Sequence, residues 1–487
     1  TFLGMKKQQK KDNIILTAID LSKGFDQTPR DLLWKSLLDN GVKGRLWSAL
    51  RSTYEDATTR IKIQGSTSRI FTFTQGIKQG SPLSPLLYIT YMKRLLEKLQ
   101  ATGTGPTMGP MQIPALAYCD DILLLARNKR EMEIQAKCVK QTAAEWDFVI
   151  NTGKTQVVSR LKRKEILKTA RNIWGITKLD KTIKYLGVII QPLNKLGARH
   201  WHERRKKTIN AFYLLKGAGL RWGAGDHMIN MDLFDTVLLP ILTYGAETTT
   251  PSKTQTKKND AAQSRIIRQI LGLRWNTNGK WALWEAGKRS MSTIVEEKKI
   301  RLAIKINKMP SSRLLKRLQR GLNTTGRDLH IITEANEIAR EWKCEHWLEP
   351  DARNNTKSDR WRAEREQAVR EVEISRFNTW ANNNNKLYGT IKPWFGPNDL
   401  ITGLNSTQDS LLITLARANA VGLGDDNATK HNKNQELRPN PKICHLCTQG
   451  ATDTLHHALW RCDHKDSKRT RRHTTKLFKG IWNNPEE

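Results

Sequence analysis

Short apolar runs, several of them alternating with polar residues, recur through the first part of the chain. Runs of this length, bounded by glycine, proline or asparagine, predict β-strands. The segments with this pattern are 14–20, 60–64, 70–74, 115–126 and 184–190, and 149–158 is a turn that leads into a further strand. The second and third alternate strictly around Gly65 and Ser66, which predicts a hairpin. Two acids interrupt the 115–126 run at its middle, which predicts a strand, a tight turn and a second strand.

Between these strands the apolar residues recur at helical spacing. The predicted helices cover 30–54 with a break at Gly41, a segment that opens from the glycine-rich stretch 75–88 and continues to about 99, and 130–146. In the last of these helices we expect Ile134, Cys138 and Ala143 to face inward. Strands and helices in this order predict an α+β fold, in which the first strand lies beside the 115–126 hairpin in one antiparallel sheet.

Beyond residue 200 the pattern is helical and basic. It runs from about 202 to 308, and a second helical stretch of mixed charge runs from about 311 to 381. Tryptophans at helical spacing in the second stretch are more typical of a core than of a base-stacking platform. They are Trp342, Trp347, Trp361 and Trp380. Polar breaks at 382–385 and 424–427 are typical of linkers.

The charge of the chain restricts its partners. It carries 83 lysines and arginines against 47 aspartates and glutamates, a formal net charge of +36 spread over most of 487 residues. A charge this large indicates a polyanionic partner, and nucleic acid is the usual one because each neutralised phosphate releases counterions. No apolar run approaches the roughly 18 residues that a bilayer-spanning helix needs, so we expect no membrane partner.

Cysteine usage and the start of the chain predict its compartment. Three of the six cysteines are scattered, at Cys119, Cys138 and Cys344, which does not suit a disulfide framework. The first residues are lysine-rich and do not resemble a signal peptide, so we expect a reducing, intracellular compartment. The chain begins with Thr1 instead of methionine, which indicates a fragment or a processed product.

Three acids are candidate metal ligands. Asp120 and Asp121 interrupt an apolar run, and Asp20 ends the first predicted strand. Unpaired carboxylates in such surroundings cost roughly several kcal/mol unless a cation offsets the cost, and a divalent metal ion is the obvious candidate. A lone Asp-Asp pair is more often a polar turn, and Asp20 is the residue that favours a metal site.

Two further segments carry weaker signals. Gln79 and Gly80 lie in a glycine-rich loop before a helix, where a backbone can approach a ligand closely and free N–H groups can meet an anion or a base edge. The pattern alone fits equally well a loop with a proline at the helix start. Lys154 lies in a turn that leads into a strand.

Half of the cysteines cluster near the end of the chain. The residues with zinc-ligand spacing, C-x2-C-x9-H-x4-C, are Cys444, Cys447, His457 and Cys462. Three thiolates and an imidazole satisfy a tetrahedral zinc ion in a segment with too little core to fold unaided, and we favour zinc over coincidental clustering. The imidazole is the least determined ligand, because His456 could replace His457 and His464 lies nearby.

Taken together, these motifs have the order and spacing of reverse-transcriptase motifs, and the chain more narrowly resembles the reverse transcriptases of non-LTR (LINE-type) retrotransposons. The stretches that carry the resemblance are Asp20 with Phe25-Asp26, 79–85, 118–121, 153–155 and 185–187. Segments 239–247 and 270–273 look like the thumb of that family, and the cysteine cluster looks like its C-terminal zinc knuckle. The family commonly has alanine, also a small residue, where Gly24 and Cys119 stand.

The resemblance implies a right-hand polymerase: an antiparallel palm sheet with helices, a helical thumb, a basic helical connector and a small zinc knuckle. The domains implied are partial fingers and palm at 1–190, thumb at 191–308, connector at 309–430 and CCHC knuckle at 431–487. Most of the N-terminal fingers and any endonuclease domain would then lie outside this chain.

The resemblance also implies catalytic roles. Asp20, Asp120 and Asp121 would bind two Mg²⁺ ions, or Mn²⁺ in their place, for nucleotidyl transfer. Lys154 would protonate the departing pyrophosphate, with a phosphate anchor or plain solvent exposure as the alternatives.

Further residues would select and hold the substrates. Phe25 would collide with a ribose 2′-hydroxyl and so select deoxynucleotides. Gln79, Gly80 and Tyr118 would contact the template and the nascent base pair.

The predicted function is therefore that of an RNA-directed DNA polymerase, which copies retrotransposon RNA into DNA at a target site with Mg²⁺ and Zn²⁺ as cofactors. Its partners would be an RNA template, primer or target DNA, and deoxynucleoside triphosphates. It would act in the nucleus after a ribonucleoprotein assembles in the cytoplasm. The alternative is a catalytically inactive, reverse-transcriptase-derived subunit that binds nucleic acid in a ribonucleoprotein. Phe25 disfavours an RNA polymerase on a similar palm.

Overall fold

A computed structural model describes residues 14–383, apart from some gaps, together with Asp463. The gaps are 56, 73, 109–110, 160–162, 192–196, 219–226, 274, 325, 327 and 350–358. The described residues form two compact units that do not follow chain order. The first contains 14–202, 245–251 and 296–349, and the second contains 203–244, 252–295 and 359–383.

The strands are short and lie in the first part of the chain. In chain order they are β1 Ile15–Ile19, β2 Thr58–Thr59, β3 Lys62–Ile63, β4 Ser66–Thr67, β5 Phe71–Thr72, β6 Thr107–Met108, β7 Met111–Gln112, β8 Ala115–Tyr118, β9 Asp121–Ala126, β10 Gln156–Ser159, β11 Ile183–Tyr185 and β12 Val188–Ile190.

Helices cover most of the remaining described residues. They are α1 Gly24–Gln27, α2 Arg30–Asp39, α3 Gly44–Ser52, α4 Ser84–Ala101, α5 Lys129–Trp146, α6 Arg163–Trp174, α7 Ala198–Gly217, α8 His227–Leu233, α9 Leu239–Leu242, α10 Lys253–Ile270, α11 Gly279–Glu285, α12 Met291–Asn307, α13 Leu314–Asn323, α14 His330–Glu341 and α15 Asp359–Asn382. A π-helical segment, Phe234–Leu238, joins α8 to α9, and a 3₁₀ helix, Glu345–Leu348, follows α14.

The main sheet is antiparallel, with the strand order β10, β1, β9, β8. Ile15 pairs with Ala126 on one side and with Ser159 on the other, so β1 lies inside the sheet. Ile15 and Leu16 point to opposite faces and both are buried, which explains why this strand reads as a continuous apolar run. The predicted α+β fold is confirmed, as is the position of the first strand beside the 115–126 hairpin.

Helices α2, α4, α5 and α6 pack on one face of this sheet. Their apolar stripes and the inward residues of β1, β9 and β10 form one buried cluster, which includes Leu33, Leu95, Val139 and Trp174. This core fixes the ends of the strands, where the acidic residues lie.

The predicted inward face of α5 is wrong for Ile134, whereas Cys138 is half-buried and packs against the core and Ala143 is half-buried. Met132, Ala136 and Val139 are buried, whereas Ile134 is 38% exposed. The buried face also carries polar residues, including Gln135, whose Nε2 donates to the Leu125 carbonyl at 2.7 Å. A buried face that contains hydrogen-bonded polar side chains does not follow the apolar periodicity on which the prediction relied.

The predicted hairpin at 60–74 is present with shorter strands. β3 pairs with β4 around Gln64 and Gly65, which both have positive φ, and β2 pairs with β5 farther out. The predicted single strand at 184–190 is instead a second hairpin, β11 and β12. Leu186 and Gly187 at its turn have φ of 46° and 75°, the pattern of a two-residue turn that reverses the chain.

The second unit is helical. Its core includes Phe212, Phe234, Ile267 and Trp281, with Trp380 packed against it. Trp342, Trp347 and Trp361 are buried in their own units, as their helical spacing predicted. Among the described residues no helix has the length and apolar character needed to cross a bilayer.

Candidate active site

The register of the main sheet brings two of the predicted metal ligands together. Ile19 of β1 pairs with Ile122 of β9 as the last pair of this ladder, so one further step in the antiparallel register would set Asp20 opposite Asp121. Side chains that face each other in such pairs have Cβ atoms about 4.5–5.5 Å apart. Asp20 directly follows β1 and Asp121 begins β9, so both carboxylates lie at the same end of the sheet.

Asp120 lies at the tip of the neighbouring hairpin. Tyr118 of β8 pairs with Asp121 of β9, which leaves Cys119 and Asp120 as the two-residue turn. Cys119 has a φ of 51°, a left-handed conformation that is uncommon outside glycine. The sequence predicted both acids at the tip, and the structure places Asp120 there and Asp121 at the first position of the strand.

The acids influence one another electrostatically. Burial raises the pKa of Asp121, and the negative charges of Asp120 and Asp20 raise it further, while the cation of Lys184 lowers it. Burial, with a contribution from Asp121, also raises the pKa of Tyr185 to about 12. Neighbouring carboxylates that disfavour each other's charge attract a cation.

Lys154 reaches this cluster from a third segment. The backbone N–H of Asn151 donates to the Asp20 carbonyl at 2.8 Å, and that of Ser22 donates to the Val149 carbonyl at 2.9 Å. These bonds bring the 151–154 turn beside the end of β1. Lys154 Nζ lies 3.7 Å from Asp20 Oδ2, with 72% of the lysine side chain and 39% of the aspartate side chain exposed. An ion pair this exposed stabilises the fold little, so it leaves the lysine available to other anions.

The glycine-rich loop is bound to the turn that holds Phe25. The N–H of Ile77 donates to the Phe25 carbonyl at 2.8 Å, and the N–H of Gly76 donates to the Thr28 carbonyl at 3.0 Å. Gln79 Nε2 donates to Asp26 Oδ1 at 2.8 Å. Residues that are distant in the chain, Phe25 and Gln79, are therefore neighbours at one surface.

Three of the predicted substrate-contacting residues have open surroundings. Tyr118 is 65% exposed, and Gln79 is exposed. Gly80 has a φ of +86°, and a Cβ added there would meet no atom within 4 Å. Phe25 differs, because it is half-buried and its ring stacks on that of Tyr88.

Several residues around the site were not predicted from the sequence. Lys184 acts on Asp121 through its charge, Asp26 accepts the hydrogen bond from Gln79, and Tyr88 supports Phe25. Asp26 and Tyr88 lie within the predicted motifs, but nothing in the sequence indicated that Asp26 would bond to Gln79 or that Tyr88 would stack on Phe25. Lys184 carries no local signal that distinguishes it from the other lysines.

In the part of the chain that the structure describes, no group of three or more histidine, cysteine, aspartate or glutamate side chains is close enough to hold a metal ion. The acids at the sheet end are thus neighbours without forming a closed ligand set. The predicted zinc ligands Cys444, Cys447, His457 and Cys462 lie outside the described residues.

Comparisons with known proteins agree with the motifs. Residues 3–190 match the family described as reverse transcriptase (RNA-dependent DNA polymerase). The Pol polyprotein from the type-1 retrotransposable element R2 of Popillia japonica is 28% identical over 197 residues, which are 38% of this chain and 28% of that protein. The corresponding protein from the type-2 element R2DM of Drosophila melanogaster is 31% identical over 116 residues, covering 24% of this chain and 11% of that protein.

A third relative matches more of the chain. The RNA-directed DNA polymerase from the mobile element jockey of Drosophila melanogaster is 20% identical over 284 residues, covering 56% of this chain and 30% of that protein. The chain spans less than a third of the length of each of these three relatives.

Among solved structures, telomerase from Candida tropicalis with a fragment of telomeric RNA is 12% identical and covers 75% of this chain and 50% of that chain, with a TM-score of 0.32. This likeness is too distant to place individual residues. The sequence relatives agree with the family model: residues 3–190 are similar to reverse transcriptases, and the relatives are proteins of the R2 and jockey elements.

Proposed function

We propose that this chain catalyses RNA-directed DNA synthesis and that the acids at the end of the main sheet are its catalytic centre. The observation that carries the proposal is the strand pairing: its last pair, Ile19 with Ile122, lies directly before Asp20 in one strand and directly after Asp121 in the other. With Asp120 at the adjoining turn, three carboxylates from two segments far apart in the chain lie at one end of the sheet.

The donor set suits divalent metal ions, which reverse transcriptases use, and we propose Mg²⁺. Carboxylate oxygens are hard ligands, and Mg²⁺ keeps several waters and substrate oxygens, so a few protein ligands suffice. Burial, and then repulsion from Asp120 and Asp20, raise the pKa of Asp121, and a bound cation would offset both. Two such ions, when bound, would stabilise the attacking and leaving oxygens of an in-line phosphoryl displacement.

We propose that Lys154 acts on the departing pyrophosphate. Its Nζ is 3.7 Å from Asp20 Oδ2 and largely exposed, so it is held near the acids without being enclosed by them. An ammonium group in this position can donate a proton to a phosphate oxygen or hold the phosphate by charge alone. The pH dependence of pyrophosphate release would distinguish these two roles.

The surface formed by the glycine-rich loop and the Phe25 turn would hold the nucleotide. Phe25 would meet the sugar and reject a 2′-hydroxyl. Gln79, held by Asp26, and the open backbone at Gly80 would approach the template and the nascent pair. Tyr118, exposed beside the acids, offers a ring face to the primer end.

We propose that the main sheet is a polymerase palm and that the helices of the second unit act as a thumb. Exposed cations on α7 and α10, such as Lys206, Lys207, Lys257 and Lys258, suit sequence-independent contacts with phosphates. The partners would be an RNA template, a DNA primer or target, and deoxynucleoside triphosphates. The chain would act in the nucleus as part of a ribonucleoprotein.

We also propose that Cys444, Cys447, His457 and Cys462 bind Zn²⁺. The spacing of the ligands supports this. Zinc content measured on the purified chain, compared with that of a Cys447→Ser variant, tests it. One zinc ion per chain that is lost in the variant is expected, and equal content in both would overturn it.

The polymerase proposal is tested by primer extension on a primed RNA template with Mg²⁺. Wild type should incorporate deoxynucleotides, and Asp120→Asn should lose at least roughly 10²–10³-fold in rate, because it removes charge where the reaction needs it. Asp39→Asn, an exposed acid at the end of α2, is the charge-matched control and should keep the wild-type rate.

Two results would contradict the proposal. Incorporation that survives in Asp120→Asn would show that the acids are not the catalytic centre. A wild-type chain that binds primed RNA but incorporates no nucleotide would instead support the inactive, nucleic-acid-binding subunit.

A further inference from the structure

The residue proposed to meet the sugar is supported by a buried tyrosine. The rings of Phe25 and Tyr88 are stacked, with centroids 4.6 Å apart and planes inclined by 13°. Phe25 is half-buried, whereas Tyr88, on α4, is 1% exposed and belongs to the core beneath the sheet. Tyr88 is therefore held by the core and supports the more exposed ring of Phe25 from the buried side.

The hydroxyl of Tyr88 lies close to the position that a side chain at residue 24 would take, and Gly24 leaves that position empty. A Cβ added at Gly24 would lie 2.4 Å from Tyr88 Oη and 3.1 Å from Cζ, both below ordinary contact distance. The backbone of Gly24 does not have a positive φ, so an alanine could adopt its conformation and only the missing space excludes it.

Tyr88 has little freedom to move out of the way. Its ring is rigid, it is almost fully buried, and Tyr91 lies on another side with a centroid distance of 6.2 Å. A buried ring in a close-packed core cannot shift by an ångström without displacing its neighbours. An alanine at position 24 would therefore push the Tyr88 ring, and with it the ring of Phe25.

We propose that Tyr88 is a positioning residue for sugar selection, which holds the Phe25 ring in place while Gly24 provides the space for its hydroxyl. The inference rests on the proposed function, in which Phe25 meets the sugar of the incoming nucleotide. An alanine at position 24 does not fit beside this tyrosine, so glycine and tyrosine act here as a matched pair. Sugar discrimination depends on where the ring edge lies, and a displacement of roughly 1 Å is enough to change it.

The experiment compares single and double variants of the full chain by the ratio of kcat/KM for a deoxynucleotide to kcat/KM for the matching ribonucleotide on primed RNA. Tyr88→Leu removes the stacked ring, and the ratio should fall at least about tenfold, mainly through a lower KM for the ribonucleotide. Gly24→Ala should lower the ratio to a similar extent. Gly24→Ala combined with Tyr88→Phe, which keeps the ring and removes the hydroxyl, should return the ratio to within about threefold of wild type.

Two control variants isolate the contact. Tyr91→Phe removes the hydroxyl of another buried tyrosine on the same helix, which donates to the Trp146 carbonyl. Gly217→Ala adds a Cβ at a glycine without positive φ where no atom lies within 4 Å. Both should keep the wild-type ratio, and urea unfolding of every variant checks that it is folded under assay conditions.

Phe25→Ala separates the inference from the proposed function. A normal ratio in Phe25→Ala, or no incorporation by wild type, would overturn the proposed role of Phe25 and the inference with it. A low ratio in Phe25→Ala with an unchanged ratio in Tyr88→Leu would leave the proposed function standing and overturn the inference. Failure of Tyr88→Phe to rescue Gly24→Ala would also overturn it.

Discussion

Gly76 allows a quantitative test of how the glycine-rich loop is held against the Phe25 turn. Its φ is +83°, and a Cβ added there would lie 2.4 Å from the carbonyl oxygen of Asp26 and 2.9 Å from that of Phe25. Gly41 has almost the same φ, +84°, but a Cβ there would meet no atom within 4 Å. Gly41→Ala thus measures the cost of the left-handed conformation alone, and Gly76→Ala measures that cost together with the clash.

The two costs can be estimated separately. A non-glycine residue in a left-handed conformation costs about 1–2 kcal/mol, which both variants share. Overpacking against rigid neighbours costs about 1–3 kcal/mol more, and only Gly76→Ala incurs it because a backbone carbonyl cannot rotate away. We expect the free energy of unfolding to fall by about 1–2 kcal/mol in Gly41→Ala and by about 2–5 kcal/mol in Gly76→Ala.

The clash in Gly76→Ala should also affect nucleotide incorporation. The loop can relieve the clash by moving away from the Phe25 turn, which lengthens the 2.8 Å bond from the Ile77 N–H to the Phe25 carbonyl. Gly76→Ala should therefore lower the rate of nucleotide incorporation, whereas Gly41→Ala should not. Urea unfolding followed by tryptophan fluorescence and primer extension under folded conditions provide the two readouts. Equal losses of stability in both variants would refute the reasoning, because the contact with Asp26 would then cost nothing.

Three further predictions concern buried or clustered charge. Burial raises the pKa of Asp260 to about 6, so the folded state binds a proton that the unfolded state has lost, and the free energy of unfolding should fall as the pH rises from about 4 to 6. Asp260→Asn keeps an acceptor for the Met291 N–H, which donates to Asp260 Oδ1 at 2.8 Å. Its free energy of unfolding should exceed that of wild type by up to ~3 kcal/mol at pH 7.5 and by little at pH 4. Urea unfolding at both pH values tests this, with the exposed Asp359→Asn as control, and a variant less stable than wild type at pH 7.5 would contradict it. Lys184 lowers the raised pKa of Asp121, so Lys184→Gln should move the acid limb of the incorporation rate to higher pH; an unchanged midpoint in initial-rate profiles would exclude this coupling. Asp121→Asn should raise the urea midpoint in the presence of a chelator and abolish incorporation, and a lowered midpoint would indicate a structural acid.

The sequence predicted the parts of the site that depend on short segments. β1 is a continuous apolar run that ends at Asp20, and the 115–126 run carries its acids at the middle, so local pattern is enough to place both acids at strand ends. That the two segments are neighbours followed from the α+β order of elements. The strand register, which brings the end of β1 beside the start of β9, depends on pairing between distant segments and has no local signal.

Other features could not be predicted for related reasons. The exposure of Ile134 on α5 was not predicted because buried polar residues such as Gln135, which find hydrogen-bond partners on other elements, take positions on the inward face. The hairpin at β11 and β12 reads as a strand because Leu186, a residue that rarely has positive φ, occupies its turn. Gly24 looked interchangeable with alanine until the hydroxyl of Tyr88 was found beside it. Each depends on a neighbour that is distant in the chain.

The backbone holds the three acids together although their proximity lowers the stability of the fold. Backbone hydrogen bonds from Asn151 and Ser22 and the pairing of β1 with β9 hold the segments together, so the positions of the carboxylates do not depend on attraction between side chains. Burial, and then the charges of Asp120 and Asp20, raise the pKa of Asp121, so both oppose an ionised carboxylate in this place. A cluster kept for stability would be expected to contain pairs of opposite charge, and here the one cation in direct contact with Asp20 among the described ion pairs, Lys154, is mostly exposed. Rigid backbone support combined with repelling carboxylates is the arrangement that gains most from a bound cation, because the site needs no reorganisation to accept it.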